Sequence, residues 1–477
     1  MKRQLIYPME EKYQEYLSDE SKMMGKANSI SFPQSEEEIL EIITKMRKSH
    51  IPITVQGGKT GITGCAVPSK GHILNLSNMN RVKEFIKTDE GNTFLRVESG
   101  ITLLELKKEI RRLKNQEALF WPPDPTESSA TVGGIASCNA RGISSYLYGD
   151  TRKYIEGARV IHFDGTIKDI RRGEIAIPFL GFEKDLLDLY IGGEGMFGIL
   201  TELTLKLQPK PKEIWGISFF FEKKEDVFDF ADSLIRENLQ GEKANLAAIE
   251  YIDKVTMDEI QKRKAFMTKL KELPDIAPEF CAMVYIEIHG WEEEALEGIA
   301  EVLMEMAENC NSDSNRAWAL SGDTDIEKMK NLRHGAAECT NLFIEKIRLK
   351  EPRITKLGTD MSLEGESFKS VITKYETDIE NEGLRACIFG HVGGNHLHVN
   401  ILPENYEEYE KGRRLLKKWA KEIGEKKGKV VTEHGVGKLK KSIFLQTASR
   451  DYIEELERLK NTYDPIKMWN PGNMIEE

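Results

Sequence analysis

The sequence Gln56-Gly57-Gly58-Lys59-Thr60-Gly61-Ile62-Thr63-Gly64-Cys65-Ala66 follows a short β-type run at residues 51–55 and precedes Val67-Pro68. Its four glycines allow positive φ angles and let the backbone approach a ligand without a Cβ in between. Successive N–H groups in such a turn form a concave site for phosphate oxygens, with the Thr60 and Thr63 hydroxyls as further donors. A glycine-rich surface turn is the alternative interpretation. The stretch is not a Walker A loop, because no glycine stands five residues before Gly58-Lys59-Thr60.

The composition is that of a globular protein with two or three domains. The chain has 477 residues, of which 40% are hydrophobic and 31% charged, and it is longer than a single typical domain. The net charge of −11 argues against general binding to nucleic acids or to anionic membranes. The N-terminus lacks the apolar run of a signal peptide, and no transmembrane segment is recognisable. We therefore expect a cytoplasmic protein, with peripheral attachment to a membrane as the alternative.

The six cysteines are scattered along the chain, at positions 65, 138, 281, 310, 339 and 387. They show no C-x-x-C spacing, which argues against an iron–sulfur or zinc-ribbon module. We interpret them as reduced intracellular thiols.

The order of predicted elements divides the chain into three parts. Helices and strands alternate up to about residue 207, and Pro209 and Pro211 mark a boundary. Long helices on runs of strands then predict an α+β middle domain. We therefore predict a first domain over residues 1–211, a second over 212–440, and a C-terminal segment over 441–477.

Three further stretches contain glycine. The prolines of residues 121–126 provide a rigid entry to residues 131–140, where Gly133 and Gly134 again permit close backbone approach, although a purely structural turn is the alternative. Residues 192–198 contain G-x-G-x-x-G, which opens a helix in a Rossmann fold. The next residues, 199–207, instead alternate with period two, so we predict a strand and reject the Rossmann fold. Asn470-Pro471-Gly472, taken alone, predicts a turn.

Three of the nine histidines lie within eight residues, at positions 391, 396 and 398. The surrounding sequence, residues 389–400, predicts a strand, a glycine turn and a second strand. In such a hairpin we expect His391 to lie opposite His398, and His396, His398 and Asn400 to share one face of the second strand. An isolated histidine is usually a packed or surface residue, but this clustering beside glycines favours a functional site.

Glu433 and His434 stand together just before Gly435. Two imidazoles and a carboxylate form an open divalent-metal site that leaves coordination positions for a substrate. Adjacent side chains point apart in an ideal strand, so both residues can serve one site only if Gly435 marks a turn.

Together, these stretches resemble the flavin-dependent oxidoreductases that share the vanillyl-alcohol-oxidase fold, with its PCMH-type FAD-binding domain. Within them, the chain is similar to the branch of D-lactate dehydrogenase, the glycolate oxidase large subunit and D-2-hydroxyglutarate dehydrogenase. The resemblance covers essentially the whole chain and implies an α+β fold. It implies a two-subdomain FAD-binding domain, an antiparallel-sheet substrate domain, and a C-terminal segment that packs back on the FAD domain.

The resemblance also implies roles for individual residues. Those implied to bind FAD are Gln56, Gly57, Gly58, Lys59, Thr60, Gly61, Thr63, Gly64, Pro122, Asp124, Thr131, Gly133, Gly134, Cys138, Asn139, Glu194, Gly195, Gly198, Ile199 and Asn470. The implied ligands of a divalent metal such as Zn, Mn or Fe are His391, His398 and Glu433. His434 is the implied catalytic base, and Asn400 matches a substrate-contacting asparagine.

The chain departs from the family's pattern at several positions. Between the two histidines the family commonly has Gly-Asp-Gly-Asn, whereas this chain has Gly393-Gly394-Asn395-His396. An outer-shell carboxylate is thereby lost, and His396 is a candidate replacement ligand. Gln56 stands where the family frequently has arginine, and Lys59 replaces a loop glycine. Because the phosphate loop has no histidine and Cys65 and Cys138 suit packing, we expect non-covalent FAD.

The expected activity is the oxidation of a D-2-hydroxy acid, such as a lactate-like substrate, to the 2-oxo acid with hydride transfer to flavin N5. His434 would take the hydroxyl proton. Arg353 and Lys356 are our candidates for binding the substrate carboxylate. The electron acceptor would be a quinone, a cytochrome, an electron-transfer flavoprotein or oxygen.

Other classes of function stay open on the sequence alone. The chain could be the flavin subunit of a larger electron-transfer complex, or a homodimer acting alone. It could also be a non-redox flavoenzyme similar to alkyl-dihydroxyacetone-phosphate synthase, or a metal-dependent enzyme without flavin.

Overall fold

The computed structural model of the protein describes residues 3–113, 118–271 and 273–475. The chain forms two compact units. Unit 1 comprises Met1–Gly142, Gly149–Lys210 and Glu433–Glu477, and unit 2 comprises Ile143–Tyr148 and Pro211–Thr432.

The unit boundaries differ from the predicted domain boundaries in two places. The first division falls between Lys210 and Pro211, one residue before the expected position. The second falls after Thr432, so that residues 433–440, expected in the middle domain, belong to unit 1 together with 441–477. Their place is set by hydrogen bonds within unit 1, where Glu194 accepts from the backbone of Val436 and Gly437. The short segment Ile143–Tyr148, which belongs to unit 2, gave no sequence signal of a boundary.

Helices occur in both units. The α-helices are α1 (Glu36–Lys48), α2 (Leu103–Arg112), α3 (Val132–Cys138), α4 (Ser145–Tyr148), α5 (Leu187–Tyr190), α6 (Lys224–Glu237), α7 (Lys254–Arg263), α8 (Glu293–Asn309), α9 (Asp323–Arg348), α10 (Phe368–Asn381), α11 (Tyr406–Glu425), α12 (Lys441–Thr447) and α13 (Arg450–Tyr463). Short 3₁₀ turns cover Glu11–Leu17, Thr151–Tyr154, Lys264–Phe266, Thr268–Leu270, Ser314–Arg316 and Val392–Gly394.

Unit 1 contains two main sheets and a ribbon. Its strands are β1 (Tyr7–Pro8), β2 (Ser29–Ser31), β3 (Ile53–Gln56), β4 (His72–Asn75), β5 (Val82–Lys87), β6 (Thr93–Glu98), β7 (Leu119–Phe120), β8 (Ile155–Ile161), β9 (Ile167–Arg171), β10 (Ala176–Phe179), β11 (Phe182–Asp185) and β12 (Ile199–Pro209). The first sheet has the order β1-β2-β4-β3, with β2, β4 and β3 parallel. The second has the order β5-β6-β12-β8-β9, and β10 pairs with β11. The predicted strand after the 192–198 glycines is confirmed as β12, so that stretch opens no Rossmann helix.

Unit 2 is organised on one antiparallel sheet. Its strands are β13 (Glu213–Phe221), β14 (Ala244–Asp253), β15 (Ala282–Gly290), β16 (Trp318–Ser321), β17 (Leu357–Gly358), β18 (Ala386–His391) and β19 (His396–Ile401). They follow the order β16-β13-β15-β14-β18-β19-β17. The antiparallel α+β middle domain expected from the sequence is therefore present.

Each unit has an apolar core of its own. In unit 1, the apolar face of α1 (Ile39, Ile42, Ile43) packs with Ile53 of β3 and Leu74 of β4. Ser35 caps α1 by accepting from the backbone of Glu38, which satisfies one of the N–H groups that a helix start leaves unpaired.

In unit 2, one face of the sheet (Phe220, Tyr285 and Phe389) packs with Met329 and Leu332 of α9. This face therefore carries both apolar core residues and, further along the same strands, the polar residues described below.

The C-terminal turn of unit 1 is secured by a buried ion pair. Lys460 Nζ lies 2.8 Å from Asp464 Oδ2 and donates to the carbonyls of Met196 and Trp469. Asp464 in turn accepts from the backbone of Met468 and Trp469. The pair thus connects α13 to the loop after Gly195 and positions the residues that follow Trp469.

In the described part of the chain, no helix combines the length and the apolar character needed to cross a lipid bilayer.

We predict that Asp253→Asn stabilises the protein at pH 8 but not near pH 4. Asp253 caps α7 by accepting from the backbone of Thr256 at 2.9 Å, and burial raises the pKa of its carboxyl to about 7 against the opposing hydrogen bonds from Thr256. Between about pH 4 and 7 the unfolded chain releases this proton while the folded chain keeps it, so folding loses stability as the pH rises, by about 1.4 kcal/mol per unit of pKa difference. An asparagine keeps the cap and removes this loss.

The measurement is the midpoint of thermal unfolding between pH 4 and 8. Asp258→Asn, at a half-buried position of the same helix where the carboxylate accepts from Lys254, is the control and should change the midpoint much less than Asp253→Asn does. An equal effect of Asp253→Asn at both ends of the pH range would contradict the raised pKa.

Candidate active site

The three glycine stretches of the first domain come together in unit 1. A Cβ on Gly57 would lie 2.0 Å from Thr131 Oγ1, and one on Gly58 would lie 2.6 Å from the carbonyl of Ser129. The third stretch joins the second through backbone bonds from Glu194 to Ser137 at 2.9 Å and from Gly192 to Ala136 at 3.0 Å. The absence of side chains at Gly57 and Gly58 is therefore required for the loops to meet.

The phosphate-type loop has the donors that an anion needs. Among the described residues, the backbone N–H groups from Gly57 to Cys65 donate to no protein acceptor, whereas that of Ala66 donates to the Asp19 carboxylate. Consecutive N–H groups of this kind form an anion-binding concavity. Lys59 adopts a positive φ of 59°. Its Nζ is directed to the Glu15 carbonyl and the Tyr16 ring, so the anion-binding donors of this loop are its backbone N–H groups and not the Lys59 ammonium. Such a cradle fits the pyrophosphate of FAD.

Asn470 connects two of these stretches. Its Oδ1 accepts from the backbone of Val55 at 2.7 Å, and its Nδ2 donates to the Glu194 carbonyl at 2.7 Å. It has a φ of 42°, in the left-handed region that asparagine tolerates. A turn at the C-terminal end thus holds the start of the phosphate loop against the third glycine stretch.

The other residues expected to bind FAD lie on the same three stretches. Thr131 caps α3 by accepting from the backbone N–H of Gly134, and Asn139 ends this helix with a φ of 48°. Within the helix, Gly133 packs against Ser99. Gln56 is buried and donates to the carbonyls of Tyr16 and Ala66. The remaining positions are Pro122, Asp124 (paired with Lys107), Cys138, Gly195 (against Asn470), Gly198 and Ile199 at the start of β12.

Glu194 organises the segment that contains His434. Its buried carboxylate accepts from the backbone of Val436 and Gly437 and from the Cys65 thiol. Burial raises the pKa of this carboxyl, and the same hydrogen bonds oppose the shift. The Thr63 hydroxyl donates to the His434 carbonyl at 3.2 Å. His434 is therefore held, through its backbone, by the FAD-type loops of unit 1. Gly435 has a φ of 77°, as expected for a turn.

The histidine hairpin of unit 2 forms as predicted, but its register differs. His391 lies opposite His396, and His398 lies opposite Phe389, so the expected pairing of His391 with His398 is wrong. The reason is the loop between the two strands, which consists of a single 3₁₀ turn that ends in Asn395 with a φ of 47°. This loop is short, so His391 pairs with the first residue of the second strand. His396, His398 and Asn400 do alternate onto one face of β19.

The three imidazoles converge. Their ring centroids are separated by 5.4 Å between His391 and His396, 6.1 Å between His391 and His398, and 4.7 Å between His396 and His398. Each ring can offer a nitrogen within 4.8 Å of the others. Clustered imidazole donors suit Zn, Fe and related divalent ions.

Each imidazole has an oxygen partner in unit 2. His391 Nδ1 bonds the fully buried carboxylate of Glu250, whose other oxygen accepts from Arg333 Nε at 2.5 Å. Burial raises the pKa of Glu250, but His391 and Arg333 outweigh it and the net shift is downward. His398 Nδ1 faces the Thr359 carbonyl at 3.4 Å.

His396 differs, because its Nε2 faces Asp360 Oδ1 at 3.0 Å. The tautomer of a histidine that binds a metal is commonly set by such partners.

Sequence reasoning missed Glu250, Arg333 and Asp360. The available signal was a single carboxylate in an otherwise apolar strand, Leu-Ala-Ala-Ile-Glu250-Tyr, because a buried glutamate needs a partner.

The predicted substrate residues lie in unit 2. Asn400 is buried and donates to the His398 carbonyl at 3.2 Å. Arg353 is exposed and forms two hydrogen bonds with Glu351, at 2.7 and 2.6 Å. Lys356 Nζ lies 2.9 Å from Asn341 Oδ1.

The geometry defines a protein with a dinucleotide-type cofactor loop in one unit and a cluster of imidazoles in the other. Comparison with known proteins agrees with this class. A family model described as "FAD binding domain" matches residues 27–171, and a model described as "FAD linked oxidases, C-terminal domain" matches residues 210–474. The second match spans more than half of the chain, which therefore belongs to the FAD-linked oxidases.

Similar proteins extend over most of the chain. The D-lactate dehydrogenase of Anaerostipes hadrus is 27% identical over 97% of this chain and 92% of its own length. Glycolate oxidase subunit GlcD of Bacillus subtilis is 26% identical over 94% and 89%. A D-2-hydroxyglutarate dehydrogenase of Stutzerimonas stutzeri is 23% identical over 96% and 94%.

Solved structures share the fold. The 4-ethylphenol oxidase of Gulosibacter chungangensis superposes with a TM-score of 0.72 at 16% identity, over 98% of this chain and 94% of that one. An alkyldihydroxyacetonephosphate synthase gives a TM-score of 0.63 at 15% identity, over 94% and 77%. The expected PCMH-type architecture is thereby confirmed, and the chain is an FAD-linked oxidoreductase.

We predict that Gly57→Ala weakens FAD binding at least tenfold. The new Cβ would meet Thr131 Oγ1, so the loops must separate and the phosphate donors shift. The measurement is the dissociation constant for FAD, from reconstitution of the apoprotein followed by flavin fluorescence. Gly298→Ala is the matched control, because it lies in α8 with open space around the added Cβ. Equal affinity of both variants for FAD would contradict this role of Gly57.

Proposed function

We propose that the protein oxidises a D-2-hydroxy acid to the corresponding 2-oxo acid. The observation that carries the proposal is the convergence of His391, His396 and His398 in a chain of the FAD-linked oxidase family. The names of the relatives, among them D-lactate dehydrogenase and glycolate oxidase subunit, support this substrate class. When bound, FAD supplies the acceptor for the hydride at flavin N5.

We assign the metal ligands to His391, His398 and Glu433. His391 and His398 both use Nδ1 toward an oxygen of unit 2, so the metal would bind through Nε2 in each case. Glu433 directly follows Thr432, whose hydroxyl donates to Ser362 at 3.2 Å. A divalent ion such as Zn, Mn or Fe, held by these residues, would supply Lewis acidity toward the substrate hydroxyl.

We assign the base to His434. Its Nε2 lies 3.0 Å from Glu433 Oε1. A carboxylate only accepts hydrogen bonds, so this contact places the imidazole proton on Nε2 and makes Nδ1 the atom that takes the hydroxyl proton. During this transfer the segment is held by the Thr63 hydroxyl, which donates to the His434 carbonyl, and by Glu194, which accepts from the Val436 N–H.

We also propose which residues contact the substrate. Asn400, on the histidine face of β19, is assigned to the substrate. Arg353 and Lys356 stay our candidates for the carboxylate, and each would have to exchange its present partner, Glu351 or Asn341.

The electron acceptor is proposed to be a quinone, a cytochrome, an electron-transfer flavoprotein or oxygen. The protein would act alone, as a homodimer, or as the flavin subunit of a complex. A quinone acceptor would fit a peripheral position of the protein at a membrane.

We predict that His391→Asn and His398→Asn lose most of the bound divalent metal, whereas His396→Asn retains it. The reason is the different orientation of His396, whose Nε2 faces Asp360. Metal content of the purified FAD-loaded protein, measured by inductively coupled plasma mass spectrometry, gives the result. Loss of metal in His396→Asn alone would assign the site to His396 and overturn this ligand set.

We predict that His434→Ala slows anaerobic flavin reduction by a 2-hydroxy acid by about 10²- to 10⁴-fold, the usual contribution of a general base. The measurement is loss of flavin absorbance after rapid mixing with D-lactate, glycolate or D-2-hydroxyglutarate. His50→Asn is the control, because His50 is exposed and has a φ of 51° that asparagine tolerates. Reduction of His434→Ala at the rate of the control would remove His434 from the mechanism.

A further inference from the structure

Residues 15–21 of unit 1 pack against the phosphate loop, and the sequence gave no sign of this contact. Gln56, the first residue of the loop, donates to the Tyr16 carbonyl at 2.8 Å. The backbone N–H of Glu20 donates to the Lys59 carbonyl at 3.2 Å. The conformation of the loop therefore depends on a segment that precedes it by some forty residues.

Asp19, in the middle of this segment, turns its carboxyl group toward the loop. The residue is only 5% exposed. Its Oδ1 accepts from the backbone of Ser21 at 3.0 Å, and the carboxylate also accepts from the N–H of Ala66. Oδ2 lies 3.9 Å from the position of a Cβ on Gly61. In the described part of the chain, no donor is in hydrogen-bonding geometry with Oδ2. A buried oxygen of an acidic side chain thus lies beside the phosphate cradle.

The cation that acts on this carboxylate is shared with a second buried acid. Lys438 attracts the Asp19 carboxylate and also that of Glu194. Its Nζ donates to the Gly64 carbonyl of the loop at 3.4 Å and to Asn473 Oδ1 at 2.6 Å. One ammonium therefore serves two buried carboxyl groups.

The other charged side chains of this segment and of the loop are paired with one another. Lys59 Nζ lies 3.6 Å from Glu15 Oε2, and Lys22 Nζ lies 2.9 Å from Glu20 Oε2. Both acids of these pairs are largely exposed. Neither pair supplies the positive charge that Asp19 and Glu194 would need for full compensation.

The two buried carboxyl groups differ in their hydrogen bonds. Glu194 accepts from the N–H groups of Val436 and Gly437 and from the Cys65 thiol, so both of its oxygens are used. Asp19 can carry a proton on Oδ2 and keep its bond to Ser21 through Oδ1. Burial raises the pKa of Asp19, and the bonds from Ser21 and Ala66 and the charge of Lys438 oppose this shift only in part.

The pyrophosphate of FAD brings more negative charge to this place. A like charge close to a buried carboxylate disfavours its ionised form and raises its pKa. Of the two carboxyl groups beside Lys438, Asp19 is the one that can be protonated without the loss of a hydrogen bond. The cofactor and the proton should therefore bind together.

We propose that FAD binding takes up a proton at Asp19, so that this carboxyl group is neutral when the pyrophosphate occupies the cradle. The inference rests on the FAD site and is independent of the proposed substrate and metal. FAD then binds most tightly below the pKa that Asp19 has in the FAD-free protein. The affinity falls as the pH rises toward the pKa of Asp19 in the FAD-bound protein.

The first test is the dissociation constant for FAD at several pH values from 5.5 to 8, measured by reconstitution of the full-length apoprotein and flavin fluorescence. In the wild type the constant should rise with pH, by up to about tenfold per pH unit for one linked proton. Asp19→Asn keeps the oxygen that accepts from Ser21 and removes the titration. Its constant should stay near the low-pH value of the wild type, so at pH 8 the variant should bind FAD more tightly. Loss of a purely structural aspartate would instead weaken binding at every pH.

Glu20→Gln is the matched control. This neighbouring carboxylate is exposed and pairs with Lys22, so the variant should keep the pH dependence of the wild type. Titration calorimetry in two buffers of different ionisation enthalpy then counts the protons. The wild type and Glu20→Gln should take up a fraction of a proton with each FAD near pH 6.5, and Asp19→Asn close to none.

A further measurement starts from the FAD-loaded protein and needs no apoprotein. Release of FAD after dilution, followed by the rise of flavin fluorescence, should be faster at pH 8 than at pH 6 in the wild type. In Asp19→Asn the two rates should be equal.

Two results would overturn the inference. One is an affinity and a release rate of the wild type that do not change with pH, and the other is a pH dependence that survives in Asp19→Asn. Both leave the proposed function untouched, because anaerobic reduction of the flavin by a 2-hydroxy acid tests that function separately.

Discussion

The structure depends on the pairing of carboxylates that have been removed from water. A buried carboxylate costs several kcal/mol unless donors or cations surround it. Glu194 meets this requirement with the backbone of Val436 and Gly437, and so fixes the segment that carries His434. Glu250 meets it with a histidine and an arginine, and Glu287 with a histidine, a tyrosine and a lysine. For Glu194 and Glu250, the partner that the buried charge requires is also a candidate site segment or side chain.

The candidate site residues that could be selected from the sequence are those whose chemistry is visible in individual residues. Consecutive glycines indicated the cofactor loops, because only glycine permits contacts such as that of Gly57 with Thr131. Clustered histidines indicated a metal-type site. Their partners were not predictable in the same way, since Glu250 is 141 residues from His391 in sequence and meets it only through the order of strands in the sheet.

The register of the histidine hairpin shows a second limit. Alternation along β19 predicts which residues share a face, but the pairing with β18 depends on the conformation of the connection. Asn395 adopts a left-handed conformation after a single 3₁₀ turn, and this shifts His391 from His398 to His396. The position of Glu433 and His434 in unit 1 was likewise set by distant hydrogen bonds to Glu194 and Thr63 rather than by local sequence.

The balance of fixed charges on the unit 2 face bears on the proposed acid substrate. Arg333 and Lys330 lie three residues apart on α9, on one side of the helix, and each neutralises one buried glutamate. A divalent ion bound at the histidines, as proposed, would bring positive charge that Glu250 cannot fully offset, because Arg333 already balances Glu250. An anionic substrate supplies the missing charge, so this face should bind a 2-hydroxy acid more tightly than the uncharged alcohol of the same shape.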